Sequence, residues 1–358
     1  MRTLLVVPHF HSNLAFAIRA LLDDGVAVAL ATRRRGAPGG LGLPEPHVFP
    51  DGLSVSGAQA LLRETRPDLV VIRKTPGLAR PVHRAALLAG RATVAYDQRP
   101  ANAPRGWRAG LSGLLRGRPR LRMTPVPGLP GAGSEDPWAV YLPFPVAADP
   151  EPPRPRDGPA RLLAVGKLAE ARKRPFLLIE AAERLAQTHD LRLTLAGSST
   201  LAIGAPDPDQ RARLRAYARD GALCDRFRLL EDVPFAEMPA LYRAHDVCVL
   251  PSTGEPLGTA PLEAMGRGAA AVISSGANSA GYVALGQAAG RDCGVVFSDG
   301  DGAALEEALT PLLADPDRRM AARRAAWDWA REAFSLEGFA AGFRALAARA
   351  GALRPSRD

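Results

Sequence analysis

Two carboxylates, Glu255 and Glu263, are separated by seven residues around a turn that we expect to open a helix. Gly258 permits close backbone approach, Thr259 can cap the first turn, and Pro261 is tolerated because first-turn N–H groups have no intrahelical partner. Free N–H groups at a helix start attract negative charge, and carboxylates accept hydrogen bonds from hydroxyl groups. The stretch therefore predicts a site for an anionic ligand that carries hydroxyls.

The element before this turn determines where the two glutamates lie. The apolar run Asp246 to Ser252 indicates a strand buried on both faces, so the helix begins beyond the carboxyl end of a strand. In open α/β sheets that edge is where ligands bind. An acidic residue in a first helical turn is often only a partner of the helix dipole, so a structural role for Glu263 stays open.

A second candidate cluster is cationic. The strand Leu162 to Gly166 is followed by a basic loop and by a helix from Phe176 to about Ala186. Two of the three lysines in the chain, Lys167 and Lys173, lie in this loop. A compact ammonium group is an adequate partner for phosphate. The alternative interpretation is a solvated basic loop.

Three segments resemble those of the retaining glycosyltransferases that use nucleotide-sugars, a family with the two-domain GT-B fold. Glu255 to Met265 fits the family form E-P-F-G-x-x-x-L-E-A-M, except that Leu257 replaces Phe. The basic loop after Gly166 is similar to V-G-R-L…K-G, and Met238 to Asp246 is similar to P-x-L-Y-x-x-A-D. The resemblance covers about Ala160 to Phe334, and the amino-terminal half only in architecture.

The resemblance implies a donor site in the carboxyl-terminal half. The expected catalytic residues are Glu255, which contacts the donor sugar, and Lys167 and Lys173, which reach the diphosphate. Arg172 is an alternative second cation, because this loop carries a one-residue insertion. The remaining implied donor contacts are Glu263 on the ribose, Gly166, the loop Leu257, Gly258, Thr259 and Ala260 on the pyrophosphate, and Val233 beside the base. The implied donor is a nucleoside diphosphate sugar, with UDP slightly favoured, and no metal or cofactor is implied.

The predicted elements favour an α/β protein with two Rossmann-like domains, which in the GT-B fold face each other across a cleft. Residues 1–148 form the first, acceptor-side domain, and residues 149–159 form a Pro-rich linker. The resemblance implies that residues 160–335 form the nucleotide-sugar-binding domain. Residues 336–358 are expected to form a closing helix that returns to the first domain.

Acceptor-side candidates are polar residues that follow strands of the amino-terminal half: His9, His11, Asn13, Asp97 and Gln98. The first of these loops lacks the glycine-rich form common in the family, and family members often carry a His near the second. A solvated or hydrogen-bonded loop residue is the alternative for each. A metal site is not expected, because no carboxylate or Cys lies at ligand spacing beside the histidines.

The charge balance favours anionic partners, since 46 Lys and Arg residues against 37 Asp and Glu residues give a formal charge of +9. The most basic segment, Arg105 to Arg122, also places leucines at helical spacing. It predicts a face that binds an anionic acceptor or a membrane surface. The alternative is that its leucines pack on the domain and its arginines are solvated. No nucleic-acid-binding motif accompanies the charge, so nucleic acid is not expected as a partner.

The three cysteines are scattered, which indicates neither a disulfide framework nor a zinc site. The first apolar run is cut by Pro8 and is too short for a signal peptide. These features predict a cytoplasmic protein, with peripheral contact at the inner face of the membrane where the basic segment binds it.

The sequence thus predicts a retaining, metal-independent glycosyltransferase of bacterial polysaccharide or glycolipid biosynthesis. It would move a sugar from a nucleotide-sugar to a glycan, a lipid-linked molecule or another hydroxyl acceptor, which can be anionic. Two alternatives stay open. One is a nucleotide-sugar epimerase or hydrolase on the same fold, and the other is a non-catalytic nucleotide-sugar-binding subunit.

Overall fold

The computed structural model describes residues 1–10, 13–34, 42–103, 119, 121–128, 136–198 and 207–353. The chain divides into two units. The first comprises Met1–Pro145 together with Phe334–Asp358, and the second comprises Val146–Ala333.

The first unit is built on a parallel sheet of seven described strands. These are β1 (Arg2–Val6), β2 (Ala27–Thr32), β3 (His47–Val48), β4 (Leu69–Arg73), β5 (Ala92–Tyr96), β6 (Arg122–Thr124) and β7 (Ala139–Tyr141). Their order across the sheet is β3-β2-β1-β4-β5-β6-β7. The order reverses between β1 and β4, which is the switch point at which open α/β sheets bind ligands.

Helices connect these strands as parallel pairing requires. They are α1 (Asn13–Asp23), α2 (Val55–Thr65) and α3 (Ala79–Leu88). The Ser54 hydroxyl caps α2 by accepting a hydrogen bond from the Gly57 N–H at 3.1 Å. The apolar faces of α2 and α3 pack with β1 and β4 in one core cluster, so burial of both sheet faces explains the nearly continuous apolar runs of these strands.

The second unit repeats this architecture with six described strands. They are β8 (Ala160–Lys167), β9 (Leu191–Ser198), β10 (Phe227–Glu231), β11 (Val247–Leu250), β12 (Ala270–Ser274) and β13 (Gly294–Phe297). The helices are α4 (Pro175–Leu185), α5 (Pro208–Asp220), α6 (Met238–Arg243), α7 (Ala260–Gly266), α8 (Ala280–Ala288), α9 (Gly302–Ala314) and α10 (Pro316–Ala333). The strand order is β10-β9-β8-β11-β12-β13, all parallel. Two Rossmann-like domains are therefore present, which confirms the predicted fold class.

The Pro-rich segment predicted as a linker, 149–159, belongs to the second unit. The indole N–H of Trp327 donates to the Asp149 carbonyl at 2.9 Å, and Arg323 donates to the Arg154 carbonyl at 3.2 Å. The Asp149 carboxylate accepts from Arg243 at 2.8 Å. Prolines leave this segment without regular structure, so side chains of neighbouring helices satisfy its carbonyl groups instead.

The last helix, α11 (Leu336–Ala352), belongs to the first unit. The Ser335 hydroxyl caps it by accepting from the Gly338 N–H at 3.1 Å. The helix packs against α1, and the Arg344 guanidinium donates to the Asp24 carbonyl at 2.6 Å. The carboxyl-terminal helix thus completes the domain that the amino terminus begins.

Candidate functional site

The loops that follow β8, β11, β12 and β13 meet at the carboxyl edge of the second sheet. Backbone hydrogen bonds hold Glu255, in the loop after β11, on the loop after β12: its N–H donates to the Gly276 carbonyl at 3.1 Å, and its own carbonyl accepts from the Asn278 N–H at 3.0 Å. The Thr253 N–H donates to the Arg172 carbonyl at 2.9 Å, which joins the loop that carries Glu255 to the basic loop after β8. The loop that carries Glu255 is therefore bonded to two neighbouring loops.

The Glu255 carboxylate is only 7% exposed and contacts two cations. Its Oε2 atom lies 2.5 Å from Lys173 Nζ and 2.5 Å from an Arg172 guanidinium nitrogen. Burial works to raise the pKa of Glu255, but the adjacent Lys173 and Arg172 outweigh burial and hold it below the usual range. Glu255 is therefore a buried, ionised carboxylate, as a group that orients substrate hydroxyls requires.

Gly166, at the end of β8, gives the Lys173 side chain its path to Glu255. A Cβ atom on Gly166 would lie 3.1 Å from Lys173 Cδ, closer than ordinary packing allows. Lys167 follows in the strand, and its Nζ lies 3.9 Å from the Glu170 carboxylate. Partial burial lowers the pKa of Lys167. The structure thus places Lys167, Arg172, Lys173 and Glu255 in one charge cluster.

Glu170 is a member of this cluster that the sequence reasoning missed. Its carboxylate is 1% exposed and lies 2.6 Å from the Arg172 guanidinium. Its carbonyl accepts a hydrogen bond from the Gln210 side chain at 3.1 Å. Arg172 therefore bridges two buried carboxylates. The available signal was a single acid between the two lysines of a basic loop, where a counter-charge is expected.

Glu263, in the first turn of α7, lies among hydroxyl groups rather than cations. Thr259 donates to its carboxyl at 3.0 Å and the Tyr242 hydroxyl at 3.2 Å. Burial raises the pKa of Glu263 to about 7, although both hydroxyl donors and Arg267 act to lower it. Tyr242 lies within the segment similar to P-x-L-Y-x-x-A-D, which gives that motif a structural role beside the glutamate.

The predicted capping role of Thr259 is wrong. Its side chain makes no capping hydrogen bond to the backbone of α7 and instead donates to the Glu263 carboxyl. The physical reason is that Thr259 itself has helical φ and ψ angles of −81° and −16°. In that conformation the hydroxyl follows the helix axis toward the residue four positions on, whereas a cap needs extended backbone.

The loop between the two glutamates has one strict requirement for glycine. Gly258 has a φ of +75°, and a Cβ there would lie 2.7 Å from a Leu250 methyl carbon and 3.1 Å from the Ser279 hydroxyl. Leu257 is buried, while Ala260 opens α7. The backbone of this loop is therefore held close to the end of β11.

Val233 follows β10 in the next loop. The N–H of its neighbour Asp232 donates to the Gly197 carbonyl at 2.8 Å, which fixes the loop on the end of β9. The Val233 side chain packs against a core cluster that includes Leu163 and Tyr242. Only the backbone groups of Val233 are thus suited to ligand contact.

Asp299, after β13, is a second residue that sequence reasoning missed. It accepts hydrogen bonds from Thr253 at 2.6 Å, from Ser274 at 3.0 Å and from Arg174 at 3.0 Å. These hydrogen bonds, that of Thr253 first, hold the pKa of Asp299 below its usual value against the effect of burial. Arg174 has a φ of +45°, which is unusual for a residue with a side chain. Asp299 therefore ties together the loops that carry Lys173 and Glu255.

The acceptor-side candidates of the first unit have different surroundings. The Gln98 side chain accepts from Arg73 at 3.1 Å and donates to the Tyr96 hydroxyl at 3.3 Å. Asp97 accepts from Arg99 at 2.8 Å and from Arg122 at 3.1 Å. Both candidates lie at the carboxyl end of β5 and already have partners within the protein.

The first strand-to-helix loop is described only in part. His9 is partly buried at the carboxyl end of β1. His11 lies outside the described residues, as does the side chain of Asn13, whose backbone begins α1. Their predicted roles stay predictions.

Assigning Arg122 to a cationic surface segment is wrong. Arg122 is 0% exposed and donates to the buried Asp136 carboxylate at 2.8 Å. It also donates to the Pro100 carbonyl at 2.9 Å. The Asp136 carboxylate, which precedes β7, and carbonyls of the loop after β5 accept its hydrogen bonds and draw the guanidinium inward. Of the other residues of the predicted segment, 105–118 and 120 lie outside the described residues.

In the described part of the chain, no group of three or more His, Cys, Asp or Glu side chains is arranged to hold a metal ion. No helix among the same residues combines the length and apolar character needed to cross a bilayer.

A protein-family model matches the part of the chain that contains this site. The model described as "Glycosyl transferases group 1" matches residues 147–329, which is more than half of the chain. This range contains the basic loop and both glutamates.

Two curated relatives align with part of the chain. Glycogen synthase of Mycobacterium tuberculosis is 35% identical over 174 residues, which are 48% of this chain and 38% of that protein. The lipopolysaccharide core biosynthesis mannosyltransferase LpcC of Rhizobium leguminosarum bv. viciae is 34% identical over 125 residues, 35% of this chain and 34% of that protein. The matched part thus spans less than half the length of either relative.

Solved structures resemble the whole chain. HepE of Anabaena, in complex with UDP and glucose, has a TM-score of 0.72 at 17% identity, with 98% of this chain and 100% of that chain covered. Sucrose-phosphate synthase of Thermosynechococcus elongatus has a TM-score of 0.69 at 18% identity, with 98% and 99% covered. At these identities the likeness concerns the fold, which is the two-domain GT-B architecture.

Proposed function

The chain belongs to the group 1 glycosyltransferase family, and on that premise we propose that it transfers a sugar from a nucleoside diphosphate sugar to a hydroxyl acceptor. We propose that transfer retains the anomeric configuration and needs no metal ion. The observation that carries the proposal is the contact of Glu255 with both Lys173 and Arg172 at the carboxyl edge of the second sheet.

This contact brings together positive groups for the diphosphate of the donor and a negative carboxylate for the hydroxyls of its sugar. Lys167, Arg172 and Lys173 are partly exposed, so their positive groups can be shared with a diphosphate. Diphosphate is the leaving group, and its negative charge grows as the bond to the sugar breaks. Fixed cations stabilise that growing charge without reorganising, which is the role otherwise assigned to a metal ion.

The ionised Glu255 carboxylate is positioned to orient the donor sugar. With its pKa held low by Lys173 and Arg172, it accepts hydrogen bonds from sugar hydroxyls over the whole neutral range. Two hydrogen bonds to the loop after β12 fix its backbone, so its direction does not depend on the ligand. A sugar held in this way presents one face to the acceptor, which favours a single stereochemical outcome.

Glu263 is the proposed ribose contact. Two hydroxyl donors occupy part of its carboxyl group, and its remaining acceptor positions can receive the vicinal ribose hydroxyls. The backbone of Leu257, Gly258, Thr259 and Ala260 is proposed to contact the pyrophosphate, and the backbone of Val233 the base.

The relatives suggest which donors to test first. HepE is described in complex with UDP-glucose, so UDP-glucose is the first donor, with GDP-mannose and ADP-glucose beside it. The names of the curated relatives refer to glycogen and to lipopolysaccharide core, which supports glycan and lipid-linked acceptors. We propose His9, His11, Asn13, Asp97 and Gln98 as acceptor-side residues on the sequence argument alone.

The experiment has two stages. The thermal midpoint of the purified chain is measured with each nucleotide-sugar, and the one that raises it most identifies the donor. That donor is then incubated with glycan and lipid-linked acceptors, and the product linkage is determined by NMR. We expect an α-configured donor to give an α-linked product.

The matched variants are Glu255→Gln and Glu180→Gln. Glu180 is an exposed residue of α4, so its variant removes one carboxylate outside the charge cluster and should retain full activity. Glu255→Gln should lose transfer while staying folded. Full activity of Glu255→Gln would overturn the assignment.

Release of free sugar or an epimer without an acceptor would favour the hydrolase or epimerase, and donor binding without any turnover would favour a non-catalytic subunit.

A further inference from the structure

The outward face of α3 combines positive charge with exposed apolar side chains. Leu87 and Leu88 are 51% and 67% exposed, although large apolar side chains elsewhere in the described chain are mostly buried. Arg80 and Arg84 are also exposed. These four residues follow an i, i+4, i+7, i+8 spacing, so they share one side of the helix.

The opposite side of α3 explains why this face stays outward. Val82, Ala85 and Ala86 are fully buried in the core of the first unit. That packing fixes the rotation of the helix, so the leucines cannot turn inward. α3 connects the carboxyl end of β4 to the amino end of the parallel strand β5. Leu87 and Leu88 therefore lie toward the amino edge of the sheet, opposite the carboxyl edge at which ligands bind. The carboxyl edge stays accessible when this face is occupied.

The charge around this face is segregated. From Leu69 to Tyr96 the sequence contains five cationic residues and no Asp or Glu, in a chain with 37 acidic residues. The neighbouring helix α2 adds exposed Arg63 and Arg66 and one exposed acid, Glu64, which lies 3.9 Å from His47. This surface is therefore complementary in charge to an anionic occupant.

We propose that the α3 face, defined by Arg80, Arg84, Leu87 and Leu88, docks on an anionic lipid bilayer. Arginine side chains bind headgroup phosphates through paired N–H donors, while adjacent leucines enter the boundary between headgroups and acyl chains. Two consecutive exposed leucines on a helix side offer an apolar ridge, which suits a bilayer surface better than an acidic protein. The proposal does not depend on the transferase assignment.

The test is co-sedimentation of the full chain with vesicles of phosphatidylcholine alone or mixed with phosphatidylglycerol, at low and high salt. We expect binding to the mixed vesicles only, weakened by salt. R80Q/R84Q should lower the partition coefficient about 25-fold, since each arginine near an anionic surface contributes about fivefold. L87S/L88S should lower it about tenfold or more.

Matched controls separate this face from general charge and apolarity. R192Q/R219Q removes two exposed arginines of the second unit, and L353S removes another exposed leucine; both should bind as the wild type does. R116S/R118S/R120S tests the basic segment predicted from sequence. Circular dichroism and thermal midpoints verify that each variant is folded.

Three results would overturn the proposal. One is equal binding to neutral and anionic vesicles. Another is wild-type binding by both α3 variants, or a loss confined to R116S/R118S/R120S. The third is no binding of the wild-type chain to anionic vesicles, after which the same face becomes a candidate for an acidic protein partner.

Discussion

The carboxyl edges of the two sheets both concentrate charge, but they use it differently. In the second unit, Lys167, Arg172 and Lys173 are partly exposed around the buried carboxylates of Glu170 and Glu255. In the first unit, the cation at the centre is Arg122, which is fully buried and satisfied by carboxylates and loop carbonyls.

The difference indicates which of the two groups of cations can bind a ligand. A partly exposed cation gains when a phosphate replaces water beside it, whereas a buried, fully bonded guanidinium has nothing to gain from a ligand. We therefore interpret the cluster around Glu255 as functional and the cluster around Arg122 as structural. Asp97 belongs to the second kind through its bond to Arg122, which weakens its case as an acceptor contact.

The largest expected effect tests the structural cluster. Arg122→Met should lower the free energy of unfolding of the first unit by about 3–5 kcal/mol, because the buried Asp136 carboxylate loses its counter-charge. Chemical denaturation followed by far-UV circular dichroism measures this. The double variant R122M/D136L should recover part of the loss. A loss below about 1 kcal/mol for Arg122→Met would contradict a structural role.

The next effect tests the functional cluster. Glu255→Gln and Lys173→Met should each lower kcat about 100-fold, comparable to losing one group that stabilises transition-state charge. Because the two side chains contact each other, the double variant should be little worse than either single variant. Multiplicative losses in the double variant would show that the two residues act independently, contrary to a shared site.

The third prediction concerns pH and Glu263. Its pKa in the folded state, about 7, lies above the usual 4.5, so the folded chain binds this proton more tightly than the unfolded chain. The resulting stability is complete below pH about 4.5 and is lost as the pH rises to about 7. Over that range the wild type should lose about 3 kcal/mol relative to Glu263→Gln. Parallel pH profiles of the two proteins would argue against a protonated Glu263.

The smallest expected effect concerns Arg174. Arg174→Gly relieves a positive φ angle at the cost of a partly exposed ion pair with Asp299, two terms of about 1 kcal/mol or less that oppose each other. The thermal midpoint should hardly change, whereas KM for the donor should rise about threefold as the loops loosen. An unchanged KM would assign the Arg174–Asp299 pair to stability alone. The matched control is Arg66→Gly, which relieves a φ of +44° in the first unit. Arg184→Gly does not serve, because the backbone of Arg184 is helical.

Sequence reasoning located those parts of the site that can be recognised from the pattern of a single loop. Glu255, Glu263, Lys167 and Lys173 follow strands whose apolar runs were recognisable, so their common edge could be predicted from the parallel topology. Residues that act across loops were missed. Asp299 joins Thr253, Ser274 and Arg174 from three separate parts of the chain, and no local pattern records such a contact.

Besides contacts between loops, local sequence patterns also misjudged which side chains are buried. Arg122 belongs to a basic segment by composition but lies in the core, since its partner Asp136 comes from a different part of the chain. Leu87 and Leu88 show the converse, because two leucines at the end of an amphipathic helix would ordinarily be assigned to the core.

The sequence by itself determined the repeated β-α order, the edge at which the two glutamates and two lysines lie, and the resemblance of that edge to a nucleotide-sugar site. These features follow from local periodicity and spacing. Only the tertiary structure decided which charges pair with each other, which stay available, and which side of α3 faces outward. The reason is physical: ion pairing and burial depend on distances between segments far apart in the chain, and those distances exist only after packing.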